Sequence, residues 1–264
     1  MKQQTVTTGG PCWVEHGSAD PVAARRFYGE LFGWRPEPDE RPEAGGYTFM
    51  RLDGAVAASV APLYGEGQPT AWSVSFLVEE ADATARSVVA AGGSVVVEPM
   101  DALDYGRFAI VADPSGAVFG LWQAGRLRGA EVLNAPGALG WVELLTRDPD
   151  AARAFYPAVF GWKAGPSAQY TQWGLADGDF GGMLTMGEDF PSQVPPHWLP
   201  YFSVADVDVS AARAGGLGAR VLMAPVDVPG GGLRIAVLRD PLGAAFGLYY
   251  RSETRGAAGG ATGG

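Results

Sequence analysis

The spacing of apolar and polar residues along this chain changes period repeatedly, and it runs through the same series of changes twice. Residues 13–16 read as a short strand, stopped by Gly17-Ser18-Ala19. Asp20-Pro21 then supplies a helix N-cap and a first-turn proline, and Ala23, Phe27, Leu31 and Phe32 recur at helical spacing until Gly33. Strands over 47–52 and 55–61 flank the turn pair Asp53-Gly54. A strand over 72–78 leads to a helix over 82–91, closed by Gly92-Gly93, and strands over 95–98, 107–112 and 118–122 complete the unit. Asp113-Pro114-Ser115-Gly116 joins the last two as a turn. The predicted order is βαβββ followed by βαβββ, an α+β arrangement.

The second half repeats the first. WVEHGSADPVAARRFYGELFGW from Trp13 aligns without a gap with WVELLTRDPDAARAFYPAVFGW from Trp141, an offset of 128 residues. The block from Ser75 to Asp82 matches Tyr201 to Asp208 at an offset of 126, and Gly106 to Gly116 matches Leu233 to Gly243 at 127. Three blocks in one order with nearly constant offset are a tandem duplication. The expected boundaries are 11–124 for the first domain and 137–250 for the second. Between them, 125–136 is a linker with glycine and proline punctuation. Residues 1–10 are expected to be a flexible arm and 251–264 a disordered Gly/Ala-rich tail.

The opening strand–Asp-Pro–helix–Phe-Tyr–Phe-Gly-Trp pattern and the closing Asp-Pro-x-Gly-x-x-x-Gly-Leu pattern, each present twice, resemble the vicinal-oxygen-chelate family of glyoxalases, bleomycin-resistance proteins and extradiol dioxygenases. The two-domain form resembles an actinobacterial subgroup that includes a mycobacterial glyoxylase-like antigen and accessory proteins of anthracycline biosynthesis. The resemblance implies tandem glyoxalase-like domains, each of two βαβββ modules forming a curved, cup-shaped sheet. In metal-using members four donors converge in the cup. Carried over by local spacing, those positions fall on Trp13, Ser73 and Gly120 in the first domain and Trp141, Leu199 and Gly247 in the second. The fourth lies within 57–61 and 182–186, stretches without His or Glu. Indole and glycine offer no donor to a divalent ion. No metal and no cofactor are therefore expected.

Strand alternation puts Glu15 on the face of Trp13 and Glu143 on that of Trp141. Both carboxyls are expected in the cups as candidate acids or bases, with His197 as a third candidate for proton transfer. Arg107 and Arg234 recur on later strands and are expected to pair with the two glutamates or to anchor a ligand. His16 falls on the opposite face and reads as packing. Tyr47 and Tyr170, Trp72 and Trp198, and Trp122 and Tyr249 repeat at matching positions, and with Tyr201 they suggest cups lined for a flat, apolar ligand. Gly230-Gly231-Gly232 reads as a hairpin tip.

Composition narrows the partners. The chain has 264 residues, 47% hydrophobic and 18% charged, with a net charge of −10, which disfavours nucleic acid and anionic membrane. One cysteine, Cys12, excludes an internal disulfide framework and reads as a small buried residue. No apolar run is long enough to span a bilayer, and the N-terminus lacks a signal-peptide core, so a cytoplasmic protein is expected. The leading expectation is a metal-independent protein binding a small aromatic or apolar molecule in polyketide-type antibiotic biosynthesis or resistance, with a biosynthetic oxygenase as a partner. A lyase, isomerase or tailoring enzyme using a cup carboxylate, and a degenerate metalloenzyme, are the alternatives. Duplication within one chain fits a monomer or a homodimer.

Overall fold

The computed structural model describes residues 6–166, 170–229 and 232–252. Of the segments named above, residues 1–5, the hairpin-tip glycines 230–231 and the tail from 253 onward lie outside the described residues. The first copy runs β1 (Pro11–Ser18), α1 (Pro21–Phe32), β2 (Arg35–Pro38), β3 (Thr48–Leu52), β4 (Ala55–Pro62), β5 (Ala71–Val78), α2 (Ala81–Ala90), β6 (Ser94–Ala102), β7 (Gly106–Ala112) and β8 (Val118–Ala124). The second repeats it as β9 (Leu139–Thr146), α3 (Pro149–Phe160), β10 (Lys163–Pro166), β11 (Tyr170–Leu175), β12 (Gly178–Thr185), β13 (His197–Ser203), α4 (Val207–Gly216), β14 (Arg220–Asp227), β15 (Leu233–Arg239) and β16 (Ala245–Arg251).

Each copy builds one eight-stranded sheet, in the order β2-β3-β4-β1-β5-β8-β7-β6 and its equivalent β10-β11-β12-β9-β13-β16-β15-β14. The two modules of a copy meet where β1 lies antiparallel to β5, and each of those strands pairs in parallel with its own module's last strand. The helices start as the sequence dictates. Asp20 accepts from the Ala23 amide and Asp148 from the Ala151 amide, both at 3.0 Å, and Gly33 and Gly161 end them in the left-handed conformation. β2 and β10 leave no hydrophobic trace in the sequence because they are proline-containing edge strands with every residue exposed.

Alternation along β1 divides labour between the sheet's faces. Val14 and His16 point to the convex side and Trp13 and Glu15 to the concave one. The convex faces of both copies share one hydrophobic core, in which Trp72 packs on Phe202 and Phe76 on Trp198, each at 5.1 Å between ring centroids. Trp72 and Trp198, expected to line the cups, therefore belong to the domain interface. Both pair in register with convex-facing residues of the first strand, His16 and Leu144.

The interface also contains reciprocal polar bonds. The Tyr28 hydroxyl donates to Oδ2 of Asp240 in the other copy at 2.9 Å, and Trp72 Nε1 donates to that hydroxyl at 2.8 Å. Conversely, Tyr156 donates to Asp113 Oδ2 at 3.0 Å and accepts from Trp198 Nε1 at 3.1 Å. Each aspartate uses its Oδ1 to accept amides of its own Asp-Pro turn. His16 is fully buried, as its packing role requires, and its Nε2 lies 2.8 Å from Asp240 Oδ2. At the matching position of the second copy stands Leu144.

Two segments expected to be loose are packed. In the N-terminal arm, the Gly9 amide donates to the Leu77 carbonyl, the Leu77 amide donates to the Gly10 carbonyl, Trp162 Nε1 donates to the Gly9 carbonyl at 2.7 Å, and Val6 is buried. The 125–136 connection is bound to the first sheet through Ala130 to Cys12 and Glu131 to Val56. Apolar Val6, Ala130 and Val132 hold these stretches down, although their glycine and proline content masked that signal.

Because the two copies share one core, denaturation followed by tryptophan fluorescence and by circular dichroism should show a single coincident transition. Asp240→Ala strands the buried hydroxyl of Tyr28 and the ring of His16 together and is expected to cost about 3 kcal/mol. Asp113→Ala strands Tyr156 without a histidine and should cost less, about 2 kcal/mol. Equal losses, or two separate transitions, would contradict this reading of the interface.

Candidate functional site

In the first cup, β1 presents Trp13 and Glu15, β4 presents Ser59, and β5 presents Ser73 and Ser75, all on one face by register. Trp13 Nε1 is shared between Tyr47 Oη at 3.0 Å and Ser59 Oγ at 3.2 Å. Ser59 in turn donates to Glu15 Oε2 at 3.3 Å. Burial pushes the Glu15 carboxyl above the usual carboxylate range, against hydrogen bonds from Tyr47 and Ser59 that oppose the shift. Phe49 and Tyr105 pack edge-on beside Trp13 and Tyr47 and fill the β3 side of the cup. On the other side, Phe108 and Ile110 of β7 stand in register with Trp122 and Gly120 of β8 and are partly exposed. Trp122 is held by its Nε1 bond to the Leu127 carbonyl at 2.9 Å.

The second cup keeps the same plan with different contents. Trp141 Nε1 donates to Tyr170 Oη at 3.0 Å, and Tyr201 Oη donates to Glu143 Oε2 at 3.0 Å. Burial raises the Glu143 carboxyl, opposed by hydrogen bonds from Tyr201 and Tyr170. Tyr249 is half-buried beside the cup, where its hydroxyl donates to Asn134 Oδ1 at 3.3 Å.

Several expected site residues lie elsewhere. Arg107 does not meet Glu15. It stands on the convex side of β7 and pairs with Asp82 and Asp101, its Nε 2.6 Å from Asp82 Oδ2. Arg234 repeats this with Asp208 and Asp227. Alternation decides the matter, because the neighbours Ala109 and Val111 two and four residues on from Arg107 are buried in the convex core. Neither glutamate has a cationic partner among the described residues. His197 does face the mouth of the second cup, but its Nδ1 is 2.9 Å from the Pro195 carbonyl, and burial lowers its pKa. Cys12 is fully buried with its thiol pushed up by burial.

Sequence reasoning missed Tyr64. It sits just beyond β4, is 66% exposed, and its amide is bonded to Gln68 Oε1 at 2.8 Å. Its hydroxyl is shifted up by burial and by the charge of Glu15. It lies in the loop where the offset between the copies changes, so the repeat gave no signal for it.

The positions that hold metal donors in metal-using relatives of this fold do not fit a metal here. Trp13, Ser73 and Gly120 occupy three of them, and Ser59, in the fourth stretch, is committed to Glu15. Their counterparts are Trp141, Leu199, Gly247 and, opposite Glu143, Gly182. Among the described residues no group of three or more His, Cys, Asp or Glu is placed to hold an ion.

Family comparison agrees with the geometry. Residues 13–121 match the Glyoxalase/Bleomycin resistance protein/Dioxygenase superfamily, and residues 141–249 match the Glyoxalase-like domain. The chain belongs to this superfamily. It is 41% identical over 268 residues to the anthracycline biosynthesis protein DauV of Streptomyces sp. (strain C5), covering 95% of this chain and 96% of that one. It is 40% identical over 273 residues to the anthracycline biosynthesis protein DnrV of Streptomyces peucetius, covering 96% and 98%. Among solved structures, the Mn(II)-bound glyoxalase of Novosphingobium aromaticivorans superposes with a TM-score of 0.66 at 18% identity, over 92% of this chain and 82% of that one. The 2,3-dioxygenase LapB of Pseudomonas sp. KL28 superposes at 0.64 and 13% identity, over 95% and 96%. These two likenesses speak to the fold. Among the described residues no helix is long and apolar enough to cross a membrane.

The cup carboxyls give the superfamily member a testable pH dependence. Each titrates higher when folded than when unfolded, so the stability linked to its protonation is complete at low pH and is lost as pH rises through the folded value. Glu15→Gln removes that loss. Its melting temperature should exceed wild type at about pH 8, and the difference should shrink towards about pH 4. A variant less stable than wild type at high pH would show that Glu15 is held ionised.

Proposed function

We propose that this protein is a metal-independent member of the superfamily that binds a small aromatic molecule in polyketide antibiotic biosynthesis or resistance of the anthracycline type. The observation that supports it is the content of the cup. Where a metal would sit, an indole and three small residues surround a carboxyl bonded only to hydroxyls. Such a site lacks the imidazole and carboxylate donors of a metal centre but offers aromatic faces and one strong hydrogen-bond acceptor. The relatives named for anthracycline biosynthesis supply the metabolic setting.

A second reading follows from the same carboxyl. A carboxyl on the cup face whose pKa burial raises can move a proton on a bound aromatic ketone or phenol. This makes a metal-independent isomerase or lyase the alternative activity, with Glu15 as the acid–base group.

Tryptophan fluorescence of chelator-treated protein should be quenched saturably by hydroxyanthraquinones such as quinizarin, with unchanged affinity after a divalent metal is restored. A flat response across a panel of fused aromatics, or binding that appears only with metal, would overturn the proposal. If turnover accompanies binding, Glu15→Gln should lower kcat by at least about tenfold with little change in KM.

A further inference from the structure

The duplication supplies an internal comparison, because the same fold positions carry different residues in the two cups. Ser75 aligns with Tyr201 and Ser73 with Leu199 at the offset of 126, and Gly17 aligns with Leu145 at 128. In the second cup the Tyr201 ring lies flat on β16, so close that a Cβ on Gly247 would come within 2.0 Å of Tyr201 Cδ1. Its hydroxyl ends on Glu143, which is only 8% exposed. Leu199 and Leu145 are buried beside it and close the remaining floor. The chain's own phenol thus occupies the place above the acceptor.

In the first cup no β5 side chain reaches across to fill that place. Ser75 and Ser73 are short and partly exposed, and Glu15 is reached from Ser59 and Tyr47 on one side only. Phe108, Ile110 and Trp122 form an apolar wall on the other side, partly exposed and with no ring laid across them from β5. Among the described residues no arginine or lysine faces Glu15, so an anionic molecule has nothing to balance it, whereas a hydrogen-bond donor finds an acceptor.

We propose that the first cup alone is the ligand site: it holds one flat aromatic molecule per chain, neutral or cationic, with a hydrogen-bond donor on Glu15, in the place that Tyr201 fills in the second cup. The proposal rests on the small-molecule reading above and names the site, stoichiometry and ligand charge. Tyr201 is in effect the second cup's built-in occupant, a phenol donating to a buried carboxyl. It shows the kind of group that the first cup is shaped to receive from outside.

The test transplants the plug. Ser75→Tyr places a phenol opposite Gly120, as Tyr201 stands opposite Gly247, with Glu15 available to accept its hydroxyl. Calorimetric titration with quinizarin should give one equivalent bound to wild type, at least a tenfold weaker affinity for Ser75→Tyr, and unchanged binding for Tyr201→Phe. Ser73→Leu is a second, smaller plug and should weaken binding in the same direction if Ser75→Tyr does not fold. An anthraquinone sulfonate of similar size should bind at least tenfold more weakly than quinizarin. Two equivalents on wild type, or full affinity in folded Ser75→Tyr, would overturn the assignment to the first cup while leaving the small-molecule reading intact. No binding to wild type by any fused aromatic would overturn both.

Discussion

Everything in this molecule hangs on two buried carboxylates that each serve both copies of the repeat. Asp113 and Asp240 spend one oxygen closing their own Asp-Pro turn and offer the other to a tyrosine on the opposite copy's first helix. A buried carboxylate is costly unless it is fully hydrogen-bonded, and neither copy alone supplies the second set of donors. Docking is therefore needed to satisfy the turn that leads into β8 and β16, the strands that floor the cups. The large aromatic convex faces provide the driving force for association. The Tyr–Asp bonds fix its register, because a shifted interface would strand both acids at once.

The same residues explain how far the sequence could be read. The duplication, the family and the order of elements apart from the edge strands β2 and β10 came through because they are written in local patterns that recur at nearly fixed offsets. Alternation correctly sent Glu15 into the cup and His16 away from it. Arg107 and Arg234 lie outside the cups because alternation along β7 and β15 puts them on the convex face, and recurrence in both copies reflects their pairing with Asp82 and Asp208. Trp72 and Trp198 are a different matter. Their strand parity relative to β1 depends on pairing register, which the sequence does not print. Asp113 and Asp240 read as turn residues, and their second role is invisible without the partner copy in place.

The first cup is tied together by hydrogen bonds between its strands. Here Trp13, Tyr47, Ser59 and Glu15 form a hydrogen-bonded chain that links β1, the start of β3 and β4. The second copy keeps the Trp–Tyr contact and replaces the serine with Gly182. That glycine is needed because the Tyr170 hydroxyl lies 2.1 Å from where its Cβ would be. Both solutions leave a carboxyl in apolar surroundings with its pKa raised, which stability alone does not favour.

That cost is offset in one copy and not in the other. Tyr201 covers Glu143 and supplies the donor its burial demands, so the second cup is complete as a piece of core. Glu15 has weaker cover: a serine contact of 3.3 Å, a share in the Tyr47 hydroxyl, and a partly exposed face towards Ser73 and Ser75. Duplication makes this division possible. The second cup is filled by its own side chains, and the first keeps an acceptor with fewer donors in an aromatic cup. An acceptor left short of donors inside a folded protein is a standing preference for a molecule that brings one.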